Sequence, residues 1–276
     1  MRALARKFSQ LRERGEGGLI AYVTAGDPSP SMTPSIVRAL VCGGADIIEL
    51  GIPFSDPIAD GPTIQAATVR ALRAGTRPRA VLEMVEEVKR EVSVPIVILS
   101  YYNSIFRMGL KNFFEEASAR GVDGVVVPDL PVEEASEYKE FAGSYEVDTI
   151  FLATPSTSTE RMKKIVDYTS GFLYLVSVFG VTGAREKIHA VTVETIRRAT
   201  RFTRGRIPLA VGFGVSKPEH VRSVLENGAD AAIVGSRLVK IIEENLGDEE
   251  RMVESLREYT WKLKEATRWK HAKDLQ

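Results

Sequence analysis

The chain is poor in the residues that mark several common chemistries. It holds one cysteine, Cys42, in 276 residues, which excludes an internal disulfide framework and points to a reducing, cytoplasmic setting. Its three histidines, His189, His220 and His271, stand far apart and offer no His/Cys metal-ligand spacing. No apolar run approaches the roughly 18 residues that a membrane span requires. Neither sign of charge is in excess: 37 Lys+Arg face 37 Asp+Glu, so no net field draws the chain to nucleic acid. There is no Walker lysine motif and no GxGxxG at a first strand, so nucleotide binding is not indicated. The absence of a G-x-S-x-G elbow argues against a serine hydrolase.

What is present is ordinary for a globular enzyme. A hydrophobic fraction of 44% and a charged fraction of 27% exclude disorder, collagen and coiled coil. Arg2, Arg6, Lys7, Arg12 and Arg14 give the N-terminus the charge of a targeting peptide, but the apolar core of a secretory signal is missing. Leu4, Phe8 and Leu11 are instead at helical spacing and predict a helix covering one end of the fold.

Short apolar, β-branched runs recur at residues 19–24, 46–51, 95–100, 124–127, 149–153, 172–177, 208–212 and 231–235. They are nearly continuous in apolar residues instead of alternating, the pattern of parallel strands buried on both faces. Amphipathic stretches lie between them at 111–120, 133–145, 158–168, 191–204 and 217–227. Ser158 can cap a helix start, and Gly121 and Gly228 can supply the left-handed residue after a helix end. Eight strands alternating with helices predict an α/β fold, a (β/α)₈ TIM barrel over residues 1–276 as one domain, with an extra N-terminal helix. A doubly wound open sheet is the rival that periodicity alone leaves standing. The recurrence of Gly-Ala-Asp or Gly-Val-Asp before a strand, at Asp46, Asp123 and Asp230, favours the barrel. Long loops are expected after strands 2 and 6, on the face where barrel enzymes work.

Glu49 lies inside an apolar strand between Ile48 and Leu50. A carboxylate there either pairs structurally or is desolvated with a raised pKa. Its place at a strand's C-terminal end favours a catalytic carboxyl that gives and takes protons near neutral pH. Asp56 and Asp60 follow in a loop stiffened by Pro53, Pro57 and Pro62, and spacing does not choose between them. Ile52, Phe54 and Ile58 in that loop are odd if it faces only water; they could close over an apolar ligand or seat a partner. Glycines then cluster after the last three strands, at Gly180, Gly183, Gly212, Gly214 and Gly235-Ser236. At adjacent strand ends they point to a phosphate site built from backbone N–H groups and a helix N-terminus. Tyr22, Tyr101, Tyr102, Phe151 and Tyr174 fall in or just after strands; most are expected to fill the core, and those at the rim to line a pocket. Trp261 and Trp269 are expected to pack.

The segments GDPSP, GGADIIELGIPFSDPIADGPTIQ, VVVPDLPVEE, LVSVFGVTGARE, VGFGVSKPEHV and AAIVGSRLVKIIE resemble the tryptophan synthase alpha subunit family. They stand in that family's order and run through residues 4–265, and the motif from Glu49 to Gln65 is very specific. The resemblance implies a barrel that splits indole-3-glycerol phosphate into indole and glyceraldehyde 3-phosphate in tryptophan biosynthesis. It implies that Glu49 is the acid–base group, that Asp60 accepts the indole N–H, and that Tyr174 supports them. Tyr22, Ala59, Ser100 and Phe213 match positions around the indole; Gly183, Gly212, Gly214, Gly235 and Ser236 match the phosphate cradle, and Thr182 a closing loop. Pro53 and Asp56 match positions that communicate with the beta subunit, in an α2β2 complex. No metal or cofactor is implied for this half-reaction; pyridoxal phosphate belongs to the beta partner. Two departures stand out: Val178-Phe179 where many bacterial members carry Arg-Ala, and Ser100 where many carry a larger apolar residue.

Overall fold

Among the described residues every strand is parallel to its neighbours, and helices fill the connections. The computed structural model describes residues 1–176, 190–212 and 214–268. A helix, α1 (Ala3–Glu13), precedes β1 (Gly18–Thr24), α2 (Thr33–Cys42) and β2 (Ile47–Gly51). Two helices, α3 (Pro62–Arg73) and α4 (Pro78–Lys89), separate β2 from β3 (Ile96–Leu99). Then come α5 (Tyr102–Met108), α6 (Leu110–Ala119), β4 (Gly124–Val126), α7 (Ser136–Ser144), β5 (Asp148–Ile150), β6 (Leu152–Ala153), α8 (Thr159–Tyr168) and β7 (Leu173–Val176). The chain ends with α9 (Ala190–Thr203), β8 (Leu209–Gly212), α10 (Pro218–Glu226), β9 (Ala231–Val234), α11 (Ser236–Glu244) and α12 (Glu249–Glu265).

The strand order is β5-β4-β3-β2-β1-β9-β8-β7-β6. β5 and β6 are two halves of one sequence run, broken at Phe151. The first half pairs with β4 and the second with β7, so this segment brings the two ends of the sheet together into an eight-staved barrel. The Phe151 carbonyl accepts from the Tyr174 N–H at 3.0 Å across the break. Such closure leaves no free sheet edge, and the open-sheet rival is excluded.

Both faces of each strand are buried, which is why the runs lack alternation. Ile20 and Tyr22 of β1 point into the barrel beside Ile47, Val97, Phe172 and Ile233. Leu19, Ala21 and Val23 of the same strand face the helical layer with Ile36, Leu40 and Leu82. The N-terminal helix closes the barrel's lower end: Leu4 and Phe8 are buried in the inner cluster, and the Phe8 ring lies 6.0 Å from that of Phe172.

The recurring aspartates have a structural explanation. Asp46, Asp123 and Asp230 each precede a strand, and each binds one residue of the preceding strand twice. The backbone N–H donates to the carbonyl of Leu19, Ile96 or Leu209, and the carboxylate accepts from the N–H of that same residue, at 2.8 Å in all three cases. Backbone donors at the start of these strands are thereby satisfied. Lys264 and Lys89 neutralise Asp46 and Asp123, at 2.9 and 2.6 Å.

Local signals also hold. The Ser158 hydroxyl accepts from the Arg161 N–H and caps α8, and Gly121 and Gly228 have φ of 87° and 108°. The stretch expected at 133–145 divides into a 3₁₀ turn, Val132–Glu134, and α7. The interval after β2 holds the expected long loop and both helices. The loop expected after the sixth stave, with Thr182, Gly183 and Val178-Phe179, lies outside the described residues, as do Phe213 and Trp269. Trp261 is a correction: it is 55% exposed on α12, because it points away from the face that packs on the barrel. No helix among the described residues is long and apolar enough to cross a membrane.

Candidate active site

The C-terminal mouth of the barrel holds a cavity of about 330 Å³, within the range of small-molecule sites. Among the described residues its lining includes Tyr22, Glu49, Asp60, Tyr174, Gly214, Gly235 and Ser236. It therefore joins both expected carboxylates to the expected anion turn.

Parallel register puts Glu49 of β2 beside Tyr22 of β1 and Val97 of β3, all directed into the barrel. Glu49 is fully buried, and neither carboxyl oxygen has a hydrogen-bond partner among the described residues. Burial disfavours the charged form, and the nearby Asp60 charge adds to this, so the pKa is pushed up to about 8. Glu49 is thus a neutral acid at pH 7, poised to exchange a proton. Among the described residues, the structural ion pair that the sequence left open is not formed.

Asp60 ends the proline-braced loop and stands just before Gly61 and Pro62, which start α3. Burial raises its pKa as well, but a hydrogen bond from Tyr101 pulls the value back towards the anion. The Tyr101 hydroxyl also accepts from the Ala59 N–H at 2.9 Å, and its ring stacks on Phe54 at 5.2 Å. Tyr101 therefore fixes the end of the loop that carries Asp60. It was visible in the sequence only as one of several aromatics after strands. Tyr22 and Tyr174, both buried, remain neutral because burial and the neighbouring carboxylates raise their pKa values.

The other expected positions separate. Gly214, Gly235 and Ser236 reach the cavity, with Ser236 the first residue of α11, so that helix directs its positive end there. Gly212, Ala59 and Ser100 are not among the lining residues. Ser100 is buried beneath the rim and donates to the Tyr101 carbonyl at 3.2 Å. Apolar walls are supplied by Ile64, Leu99, Val215 and Ile233. Sequence reasoning missed these because nothing distinguishes a rim residue from any other strand or helix residue before the barrel closes. Of the loop's apolar residues, Ile52 is buried under the helical layer, Phe54 is held by Tyr101, and Ile58 is 82% exposed.

A larger depression, about 1040 Å³, lies outside the barrel and is lined by Pro53, Phe54, Leu72, Arg77, Arg107 and Met108, among others. It contains neither carboxylate, so size does not identify the reaction site. Asp56 is exposed nearby in the chain and accepts from the Ser55 hydroxyl.

The family model of the tryptophan synthase alpha chain matches residues 8–268. The tryptophan synthase alpha chain of Methanothermobacter thermautotrophicus is 45% identical over 96% of this chain and 97% of its own. That of Pyrococcus furiosus is 52% identical over 83% of this chain and 91% of its own. A structure of the tryptophan synthase α2β2 complex from Pyrococcus furiosus superposes with a TM-score of 0.84 and 50% identity, covering 90% of this chain and 98% of that one. A match of this length and identity, on a barrel whose mouth joins two carboxylates to a glycine turn, means that the chain belongs to the tryptophan synthase alpha chain family.

Proposed function

We propose that the cavity cleaves indole-3-glycerol phosphate to indole and glyceraldehyde 3-phosphate, the lyase reaction of this family, with Glu49 as the acid–base group. The observation that carries the reading is the setting of Glu49: a fully buried carboxyl without a hydrogen-bond partner among the described residues, in one cavity with Asp60 and the turn at Gly214, Gly235 and Ser236.

The neutral Glu49 carboxyl donates its proton to the ring carbon that bears the glycerol chain. The positive charge that develops on the ring nitrogen is met by the Asp60 carboxylate, which accepts the N–H hydrogen bond. The carbon–carbon bond breaks, its electron pair entering the ring and restoring the aromatic system. The Glu49 carboxylate takes the hydroxyl proton of the departing chain, whose carbon becomes an aldehyde. Glu49 is then protonated again and the cycle closes. The protonated ring serves as electron sink, so this half-reaction uses no metal or organic cofactor. Tyr174 and Tyr22 supply neutral walls beside Glu49, and the N-terminus of α11 with Gly214 and Gly235 holds the phosphate.

The groove around Pro53 is the face for a pyridoxal-phosphate-dependent beta subunit, in an α2β2 assembly like that of the Pyrococcus furiosus complex. Its apolar lining and the exposed Ile58 of the same loop suit a partner surface. Pro53 and Asp56 are the contacts nearest the catalytic loop. A cytoplasmic location goes with the single cysteine and with the pathway.

Indole release from indole-3-glycerol phosphate by the purified chain, with and without a beta subunit, tests the reading. Release by the chain alone and a large gain with the partner are expected. No release under either condition overturns it.

A further inference from the structure

The anion turn is held from behind by a side chain outside the cavity. Tyr259 lies on α12, 43 residues from Ser216, and its hydroxyl donates to the Ser216 carbonyl at 2.6 Å. The Ser216 N–H is also engaged, donating to Nδ1 of His220 at 3.3 Å, and His220 hydrogen bonds the backbone of Gly214 as well. Both backbone polar groups of Ser216 are therefore taken by side chains of flanking helices, which sets the path of the turn that lines the cavity.

The ring of the same tyrosine reaches the opposite wall. The Arg237 guanidinium lies 5.5 Å from the Tyr259 ring centroid, a cation–π distance. Arg237 directly follows Ser236 in the first turn of α11. One side chain thus touches both segments that meet at the anion end of the cavity: the turn at 214–216 by its hydroxyl, and the start of α11 by its ring and by the hydroxyl oxygen, which accepts from Arg237. A cradle of backbone N–H groups holds a tetrahedral anion only when its two lips keep a fixed separation, and the groups that support such a site set its precision.

We propose that Tyr259 is a positioning residue for the phosphate group of the substrate, fixing the separation of the 214–216 turn and the N-terminus of α11. This rests on the phosphate reading of the cavity and adds a residue that acts through Ser216 and Arg237 without touching substrate.

The test is Tyr259→Phe in the full chain, which keeps the ring over Arg237 and removes only the hydroxyl. The competitive inhibition constant of inorganic phosphate and the KM for indole-3-glycerol phosphate should both rise about 3- to 10-fold, the scale of the hydrogen bonds lost to Ser216 and Arg237. The kcat should stay within about twofold, since the carboxylates are untouched. Tyr259→Leu, which removes the ring too, should raise both constants further. Unchanged inhibition and KM in a folded Tyr259→Phe, even with a lowered Tm, would reduce the residue to a packing role and overturn the proposal. Should inorganic phosphate fail to compete with substrate in the wild-type chain, the phosphate reading itself falls instead.

Discussion

Gly212, the last residue of β8, leaves open the space that the Tyr174 side chain fills. A Cβ at 212 would lie 2.6 Å from the Tyr174 hydroxyl and 2.7 and 2.8 Å from its ring carbons. The glycine is required here by a neighbouring side chain, and the same holds at Gly51, where a Cβ would run into Tyr22. The two tyrosines that stand beside Glu49 thus occupy room made by glycines at strand ends.

Gly212→Ala should therefore displace Tyr174. Overpacking of this kind costs about 1–3 kcal/mol, and the displaced ring should lower kcat/KM for indole release. Equilibrium urea unfolding and steady-state kinetics on one preparation check both, and wild-type values for the two together would contradict the packing.

Glu49→Gln and Asp60→Asn should each reduce indole formation by on the order of 10²- to 10⁴-fold, the usual contribution of a positioned acid or base. Neither should unfold the protein, because Glu49 makes no hydrogen bond to lose among the described residues and the amide of Asp60→Asn keeps an acceptor for Tyr101. Far-UV circular dichroism with an indole assay separates lost chemistry from lost fold. Wild-type-like turnover by either variant would remove its role.

The Glu49 carboxyl also makes a stability prediction. Its pKa rises on folding from 4.5 to about 8, so the folded chain binds a proton that the unfolded chain has released between those values. Wild-type stability must then fall as pH rises through this window, by about 1.4 kcal/mol per unit for this group. Glu49→Gln lacks the titration, so its stability relative to wild type should grow from pH 4.5 to 8 and level off above. Denaturant midpoints across pH measure this, and a constant difference would show that Glu49 titrates normally. In the same way kcat/KM should decline above about pH 8 as the acid is lost.

Tyr101→Phe removes the group that hydrogen bonds both the Ala59 N–H and Asp60. The Asp60 pKa should rise, since its lowering interaction is gone, and the acid limb of the kcat/KM profile should move to higher pH. A kcat loss of about tenfold is expected, in line with one hydrogen bond to a charged group. An unmoved acid limb would mean that Asp60 does not set it.

Met108→Asp places a charge in the Pro53 groove, away from the cavity. Activation by a beta subunit should be lost or need at least tenfold more partner, while indole release by the chain alone is retained. Full activation at wild-type partner concentration would place the interface elsewhere.

The sequence by itself determined the class of fold. Apolar runs without alternation, intervening helices and an aspartate before three of the strands dictate a parallel α/β fold and favour a barrel over an open sheet, because parallel strands need long crossovers and shelter on both sides. Glu49 was legible for a local reason, a carboxyl in an apolar strand; the proline-braced loop offered Asp56 and Asp60 alike, and the family resemblance chose Asp60. Tertiary structure decided the rest. That Phe151 divides one stave into two ladders, that Tyr101 is the partner of Asp60, that Gly212 serves Tyr174, and that Tyr259 of the last helix reaches Ser216 all depend on side chains brought together from distant positions. Their individual environments in the sequence are unexceptional, so the contacts exist only once closure of the sheet sets the distances between them.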